Sequence, residues 1–230
     1  MECYSFSTAG SRHQEAGEKN QDQMFGIQGG DRLSICLSDG CGSSPYGGAA
    51  AQYVCTLTAR LFFFEFYKLL AADPDTVRQR VAAVLQPALR ALAAQEGIDP
   101  EELAATILVL AVDQAGRYLC AHLGDGCILT QSQDTPEKKY QVISDASRGI
   151  TPHSTYLTMN ADMMQHLKVY RSFRPHKRKF LLLTDGAADL LRDAPWSRTL
   201  PCAFSGPALE EYLDSLCPRD DYSGSLISVP

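Results

Sequence analysis

The chain has 230 residues, 45% of them hydrophobic and 21% charged, which is enough apolar material for the core of one large domain and argues against disorder. Its net charge of −6 lacks the basic excess of a nucleic-acid-binding protein. The most apolar stretch, Leu61 to Leu70, is interrupted by Glu65 and Lys68 and is too short to span a bilayer, so neither nucleic acid nor a membrane is an expected partner.

The opening MECYSFSTAGSRHQEAGEKNQD has no basic segment leading into an apolar one, and a cytoplasmic protein is expected. CYSFSTA, QMFGIQ and RLSICLS read as strands, the last two joined by a hairpin at Gly29-Gly30-Asp31. A long, mostly apolar helix is predicted from about Ala49 to Ala72. A second, from about Asp75 to Gln95, carries Val77, Val81, Leu85, Ala88 and Leu92 at helical spacing, with Pro87 as a possible kink. Strands return as TILVLAVD, RYLCAHLG and CILTQS, and 134–139 reads as a polar loop. The pattern is weakest from Ala146 to His176, where the run RSFRPHKRK is strongly basic. KFLLLTDG then reads as a buried strand, followed by helices at Ala187–Arg192 and Pro207–Leu216 and a final strand SGSLISV. None of the eight cysteines forms a C-x-x-C pair, and several lie in apolar runs, as expected of buried, reduced thiols. Strands joined by hairpins, with helices in separate blocks, argue for an α+β fold of antiparallel sheets covered by helices rather than a doubly wound parallel sheet.

Acidic residues recur where apolar strands begin or end: Asp22, Asp39, Asp125, Asp185 and the pair Asp220-Asp221. Glycine directly follows Asp39, Asp125 and Asp185, allowing a sharp turn and close backbone approach. Any one Asp-Gly is a common turn, but five carboxylate positions on strand ends would repel one another if brought together without a cation. An all-oxygen set suits a hard ion such as Mg²⁺ or Mn²⁺, and the lack of paired His or Cys ligands argues against zinc.

The ordered set NQD, SDGCGSS…GGAA, ATILVLAV, HLGDG, LLLTDGAADLL and DDYSGSLISV resembles the metal-dependent type 2C serine/threonine protein phosphatases, from about Ser7 to Val229. The opening SRHQEAGEKNQDQ and the segment STYLTMN, residues 154–160, resemble a bacterial subgroup of that family. The resemblance implies two antiparallel β-sheets packed as a sandwich and flanked by helices, a four-layer αββα arrangement. It also implies a single domain over 1–230 with a variable flap-like region around 145–178. Two Mg or Mn ions are implied, with a third, weaker one. Asp39 would bridge the pair, the carbonyl of Gly40 would bind the second ion, Asp185 and Asp220 would complete the first, Asp22 would hold metal-bound water, and Asp125 would bind the third ion with Asp185. A water bridging two such ions would attack a phosphorylated protein substrate, and no protein nucleophile is needed.

Three positions depart from the family pattern. Gln21 stands where Glu is frequent, Cys41 where many members carry His, and Gly17 where many carry a phosphate-binding Arg. Arg12 and His13, with Lys19 nearby, are the candidates to meet phosphate instead. Two alternatives accompany the phosphatase reading: a catalytically weak regulatory member that binds phosphoproteins or a partner, and a two-metal hydrolase of small phosphate esters.

Overall fold

The computed structural model describes residues 1–132, 140–147, 155–192 and 205–230, so the expected 134–139 loop and the first residue, Ser154, of the bacterial-type STYLTMN segment lie outside the described residues. The chain opens with β1 (Glu2–Thr8) and α1 (Ser11–Ala16), then the hairpin β2 (Gln23–Gly29) and β3 (Arg32–Ser38). Helices α2 (Gly47–Phe64), α3 (Phe66–Ala71) and α4 (Pro74–Glu96) follow, then a 3-10 turn at Pro100–Leu103. Strands β4 (Ile107–Asp113), β5 (Tyr118–Leu123), β6 (Cys127–Ser132) and β7 (Gln141–Ser144) come next. The short α5 (Met163–His166), β8 (Lys168–Ser172), β9 (Arg178–Leu183), α6 (Asp185–Arg192), α7 (Gly206–Ser215) and β10 (Tyr222–Val229) complete the described chain.

The strands form two five-stranded antiparallel sheets, ordered β1-β10-β9-β6-β7 and β2-β3-β4-β5-β8. Their facing sides supply one core of Leu33, Ile35, Leu37, Leu108, Leu110, Phe180, Leu182 and Ile227. Alternate residues of the same strands point outward: Val109, Ala111, Leu119 and Ala121 pack on α2, α3 and α4, while Leu181, Leu183 and Leu129 pack on α6 and α7. Every residue of β4 is therefore buried, which explains a continuous apolar strand where a half-exposed one would alternate. The α+β sandwich with helical outer layers matches the expectation.

The short α1, β7 and α5 are absent from the sequence-based expectation, and two further elements differ from it. The helix expected across Ala49–Ala72 breaks at Glu65, which leaves helical geometry (φ −100°, ψ 15°) and turns its carboxylate to Lys68 and Arg80. The weakly patterned region contains β8, an edge strand whose residues are only partly buried and so carry no strong periodicity. Helix α4 runs through Pro87 to Glu96 after an Asp73 cap whose side chain accepts from the Thr76 N–H at 2.9 Å. Among the described residues no helix is long and apolar enough to cross a membrane.

Candidate metal centre

Antiparallel register decides where the strand-end aspartates lie. The start of β2 pairs with the end of β3 (Gln23 opposite Ser38), the end of β3 with the start of β4 (Leu37 opposite Leu108), and the start of β4 with the end of β5 (Ile107 opposite Leu123). In the other sheet the end of β9 meets the starts of β6 and β10 (Leu183 opposite Cys127 and Gly224). Asp22, Asp39, Asp125, Asp185 and Asp220 accordingly all emerge at one end of the sandwich. They lie near enough to act on one another electrostatically. Asp39 is pushed well above the usual carboxylate range by burial first, then by repulsion from Asp22, Asp185 and Asp125. Asp185 rises likewise, through burial and then Asp125, Asp22 and Asp220. Asp22, only 2% exposed, is pushed up to about 6, chiefly by burial.

The backbone around these groups is fixed by neighbouring threonines. The Asp39 N–H donates to Thr106 Oγ1 at 2.8 Å, and the Thr106 N–H returns a bond to the Asp39 carbonyl at 2.9 Å. Thr184 Oγ1 donates to Asp22 Oδ2 at 2.7 Å and accepts from the Ser223 N–H at 2.8 Å, tying β2, β9 and β10 together just beneath the carboxylates. Gly40 follows Asp39 in close contact with the start of α2; a Cβ there would lie 2.2 Å from the carbonyl carbon of Gly47, so no other residue fits. Neither threonine is singled out by the sequence: Thr184 directly precedes Asp185, but Thr106 adjoins no aspartate in the chain and reaches Asp39 only through strand pairing.

The arrangement fits a hard cation. Asp22 Oδ1 and Gln21 Oε1 are buried oxygens without a hydrogen-bond partner, and the charged groups acting on Asp22 include the carboxylates of Asp39 and Asp221. Unpaired buried oxygens and mutually repelling carboxylates are what a divalent ion with water ligands would satisfy. Among the described residues, no three acidic, His or Cys side chains close around a single point, so the cluster is open rather than a preformed cage. Mg²⁺-type sites commonly use one or two carboxylates and keep several waters.

Asp220 and Asp221 have separate roles. Asp220 is exposed and ion-paired to Arg12 Nη2 at 3.0 Å. Asp221 is 3% exposed and accepts from the Gly10 N–H at 2.9 Å, the Gln21 N–H at 2.7 Å and His13 Nδ1 at 2.8 Å. His13 is itself 4% exposed, and its Nε2 lies 3.5 Å from Glu18. The expectation that His13 meets phosphate does not suit this position: Nδ1 faces the buried Asp221 carboxylate and Nε2 the exposed Glu18, and the residue instead fastens α1 and the Gln21-Asp22 segment to the start of β10. Arg12 is placed differently. Its Nη2 and Gln21 Oε1 lie 3.8 and 3.9 Å from the Cβ position that Gly42 lacks, so the guanidinium stands at the rim of the cluster. Cys41 Sγ lies 3.2 Å from Ser43 Oγ.

Two depressions flank the carboxylates. One of about 560 Å³ is lined by Lys19, Asn20, Gln21, Ser43, Ser44 and Gly48, and a smaller one of about 230 Å³ by Asp185, Gly186, Asp189, Arg219 and Asp220.

The family profile described as Protein phosphatase 2C matches residues 9–220. A bacterial serine phosphatase superposes with a TM-score of 0.72 at 16% identity, covering 100% of this chain and 98% of that one. The serine/threonine phosphatase Stp1 from Staphylococcus aureus gives 0.70 at 16%, covering 100% and 95%, and RsbX in complex with magnesium gives 0.60 at 15%, covering 97% and 92%. At these identities the structural likeness speaks to the fold. No curated protein matches the sequence significantly.

Proposed function

The chain belongs to the protein phosphatase 2C family, and from that premise we propose that it hydrolyses phosphoserine and phosphothreonine in phosphoproteins, using Mg²⁺ or Mn²⁺ held at the carboxylate end of the sandwich. Asp39 would bridge two ions, with the Gly40 carbonyl on the second, Asp185 and Asp220 on the first, and Asp22 reaching them through water. Asp125 would join Asp185 at a third, weaker site. Bound divalent ions supply a water acidic enough to attack phosphorus near neutral pH and positive charge for the phosphoryl oxygens.

The chain's own groups position this chemistry. Thr106 holds Asp39 through both backbone groups, and Thr184 orients Asp22 so that one carboxylate oxygen stays available. Asp221 takes no part in proton transfer; its donors lock it as an anchor for the Gln21-Asp22 segment. Arg12, paired with Asp220 in an exposed and hence weak ion pair, is free to swing its guanidinium onto a phosphate. No protein nucleophile is assigned. The observation that carries the reading is that Asp22, Asp39, Asp125, Asp185 and Asp220 emerge at the same end of the sandwich, near enough to act electrostatically on one another, with a buried Asp22 oxygen left unsatisfied.

The test is hydrolysis of p-nitrophenyl phosphate and a phosphothreonine peptide with and without Mn²⁺. The expected result is Mn²⁺-stimulated turnover of both, abolished by Asp39→Ala and by Asp185→Ala. Inertness at saturating Mn²⁺ would refute it. The uncharged Gln21 beside the cluster favours a second reading, a weak member that binds phosphoproteins; such a protein would be inert yet retain a phosphopeptide. Faster turnover of nucleotides than of phosphopeptides would point to a small-ester hydrolase instead.

A further inference from the structure

From Met163 to Thr184 the chain carries six Lys and Arg residues and no Asp or Glu, although the protein as a whole is acidic. The structure places the first of these on β8, the last strand of its sheet. β8 pairs with β5 on one side, and no described strand pairs with its other edge. In an antiparallel ladder, alternate backbone groups of an edge strand point away from the sheet and are open to another strand. Of the six, Lys168 and Arg171 lie on β8, Arg174 and Lys177 in the connection that follows, and Arg178 and Lys179 on β9 in the other sheet, so four cations line this edge and its continuation, more than guarding an edge against aggregation needs.

The edge also has a direction. Lys168 lies opposite His122, three residues before Asp125, and Ser172 lies opposite Tyr118 at the far end of β5. β8 therefore starts beside the carboxylate cluster and runs away from it. Lys168 Nζ donates to the Asp145 carbonyl and Arg171 Nη1 to the Leu70 carbonyl, so these two are held in place along the edge. Tyr170 and Phe173 are exposed, with the Arg171 guanidinium 5.4 Å from the Phe173 ring, and Arg174 and Lys177 are exposed in the connection to β9.

We propose that the β8 edge receives an extended acidic segment of the phosphoprotein substrate, added as a further strand with its phosphorylated residue toward the Asp125 end. This deepens the phosphatase reading and rests on it. Backbone pairing would give the segment its direction, and the basic side chains would select carboxylates or further phosphates flanking the target residue. A segment pairing with all five residues of β8 would extend about 16 Å from the site.

The experiment compares kcat/KM for two phosphothreonine peptides, one with acidic flanks and one with neutral flanks, each taken relative to p-nitrophenyl phosphate. The enzyme is used with Mn²⁺ at low salt and at about 0.5 M salt, where exposed charges are screened. The unchanged protein should favour the acidic peptide by about tenfold at low salt and lose that preference at high salt. The double substitution Arg174→Glu and Lys177→Glu, both on exposed side chains, should abolish the preference at low salt. Equal use of the two peptides by the unchanged protein, or a preference that survives the double substitution, would overturn the proposal. Fluorescence anisotropy with the unphosphorylated acidic peptide separates this outcome from failure of the phosphatase reading. If even p-nitrophenyl phosphate is untouched, that reading falls and binding alone decides: capture by the unchanged protein and release by the double variant supports docking, and equal binding refutes it. Tighter binding of a single-stranded oligonucleotide than of the peptide would overturn it too.

Discussion

Replacing Asp22 by Asn removes one charge from the crowded cluster while keeping an oxygen to accept from Thr184 Oγ1. The carboxyl is 2% exposed and its pKa rises from the ordinary 3.8 to about 6, chiefly through burial and opposed by the Thr184 bond. At about 1.4 kcal/mol for each tenfold change in proton affinity, keeping Asp22 ionised in the ion-free fold costs up to about 3 kcal/mol. The sign follows from a raised folded-state pKa on an acid. The folded chain holds the proton more tightly than the unfolded chain, so the cost is absent below the unfolded value near 4, grows as pH rises, and is complete above about 7. Asn carries no such cost at any pH. Calorimetry of the chelator-treated proteins should therefore show Asp22→Asn melting about 6–12 °C above the parent at pH 8, a gain that vanishes near pH 4. Mn²⁺ should raise the melting temperature of the parent at pH 8 by more than that of the variant, because in the parent the ion also offsets the repulsion. A variant no more stable than the parent at pH 8, or one whose gain persists unchanged at pH 4, would refute the reasoning.

Asp221→Ala leaves the Gly10 and Gln21 N–H groups and buried His13 without their acceptor and should lower stability by about 3–5 kcal/mol in chemical denaturation, while weakening Mn²⁺ binding in calorimetric titration through the loosened Gln21-Asp22 segment. Gly40→Ala should cost about 3 kcal/mol or yield insoluble protein, read by denaturation or solubility, because the new methyl would meet backbone at 2.2 Å rather than a side chain that could turn away. Arg12→Ala should raise KM for p-nitrophenyl phosphate about tenfold while leaving the melting temperature nearly unchanged, since the pair with Asp220 is exposed on both sides.

The architecture was legible wherever burial imposed a period on the sequence. TILVLAVD could be read as a central strand because both of its faces are covered, and the hairpin at Gly29-Gly30-Asp31 because its glycines permit the turn. The candidate site was legible for a related reason: an aspartate just past an apolar run stands at a strand end, and antiparallel pairing brings those ends together. What escaped the sequence depended on contacts rather than pattern. Helix α1 has six residues and buries only His13, so it shows no apolar stripe. The break at Glu65 depends on Arg80, fifteen residues away on another helix. Asp220 and Asp221 are adjacent, yet successive side chains at a strand entry point opposite ways, one to solvent and Arg12, the other inward to His13. A doublet in sequence cannot say which member faces the ions.

The central claim is that carboxylates from both sheets gather around shared cations. Anomalous diffraction from crystals grown with Mn²⁺ tests it most directly. Two peaks are expected, both in contact with Asp39, one of them also with Asp185 and Asp220. Full-occupancy Mn²⁺ found elsewhere, with none beside Asp39, would contradict the account.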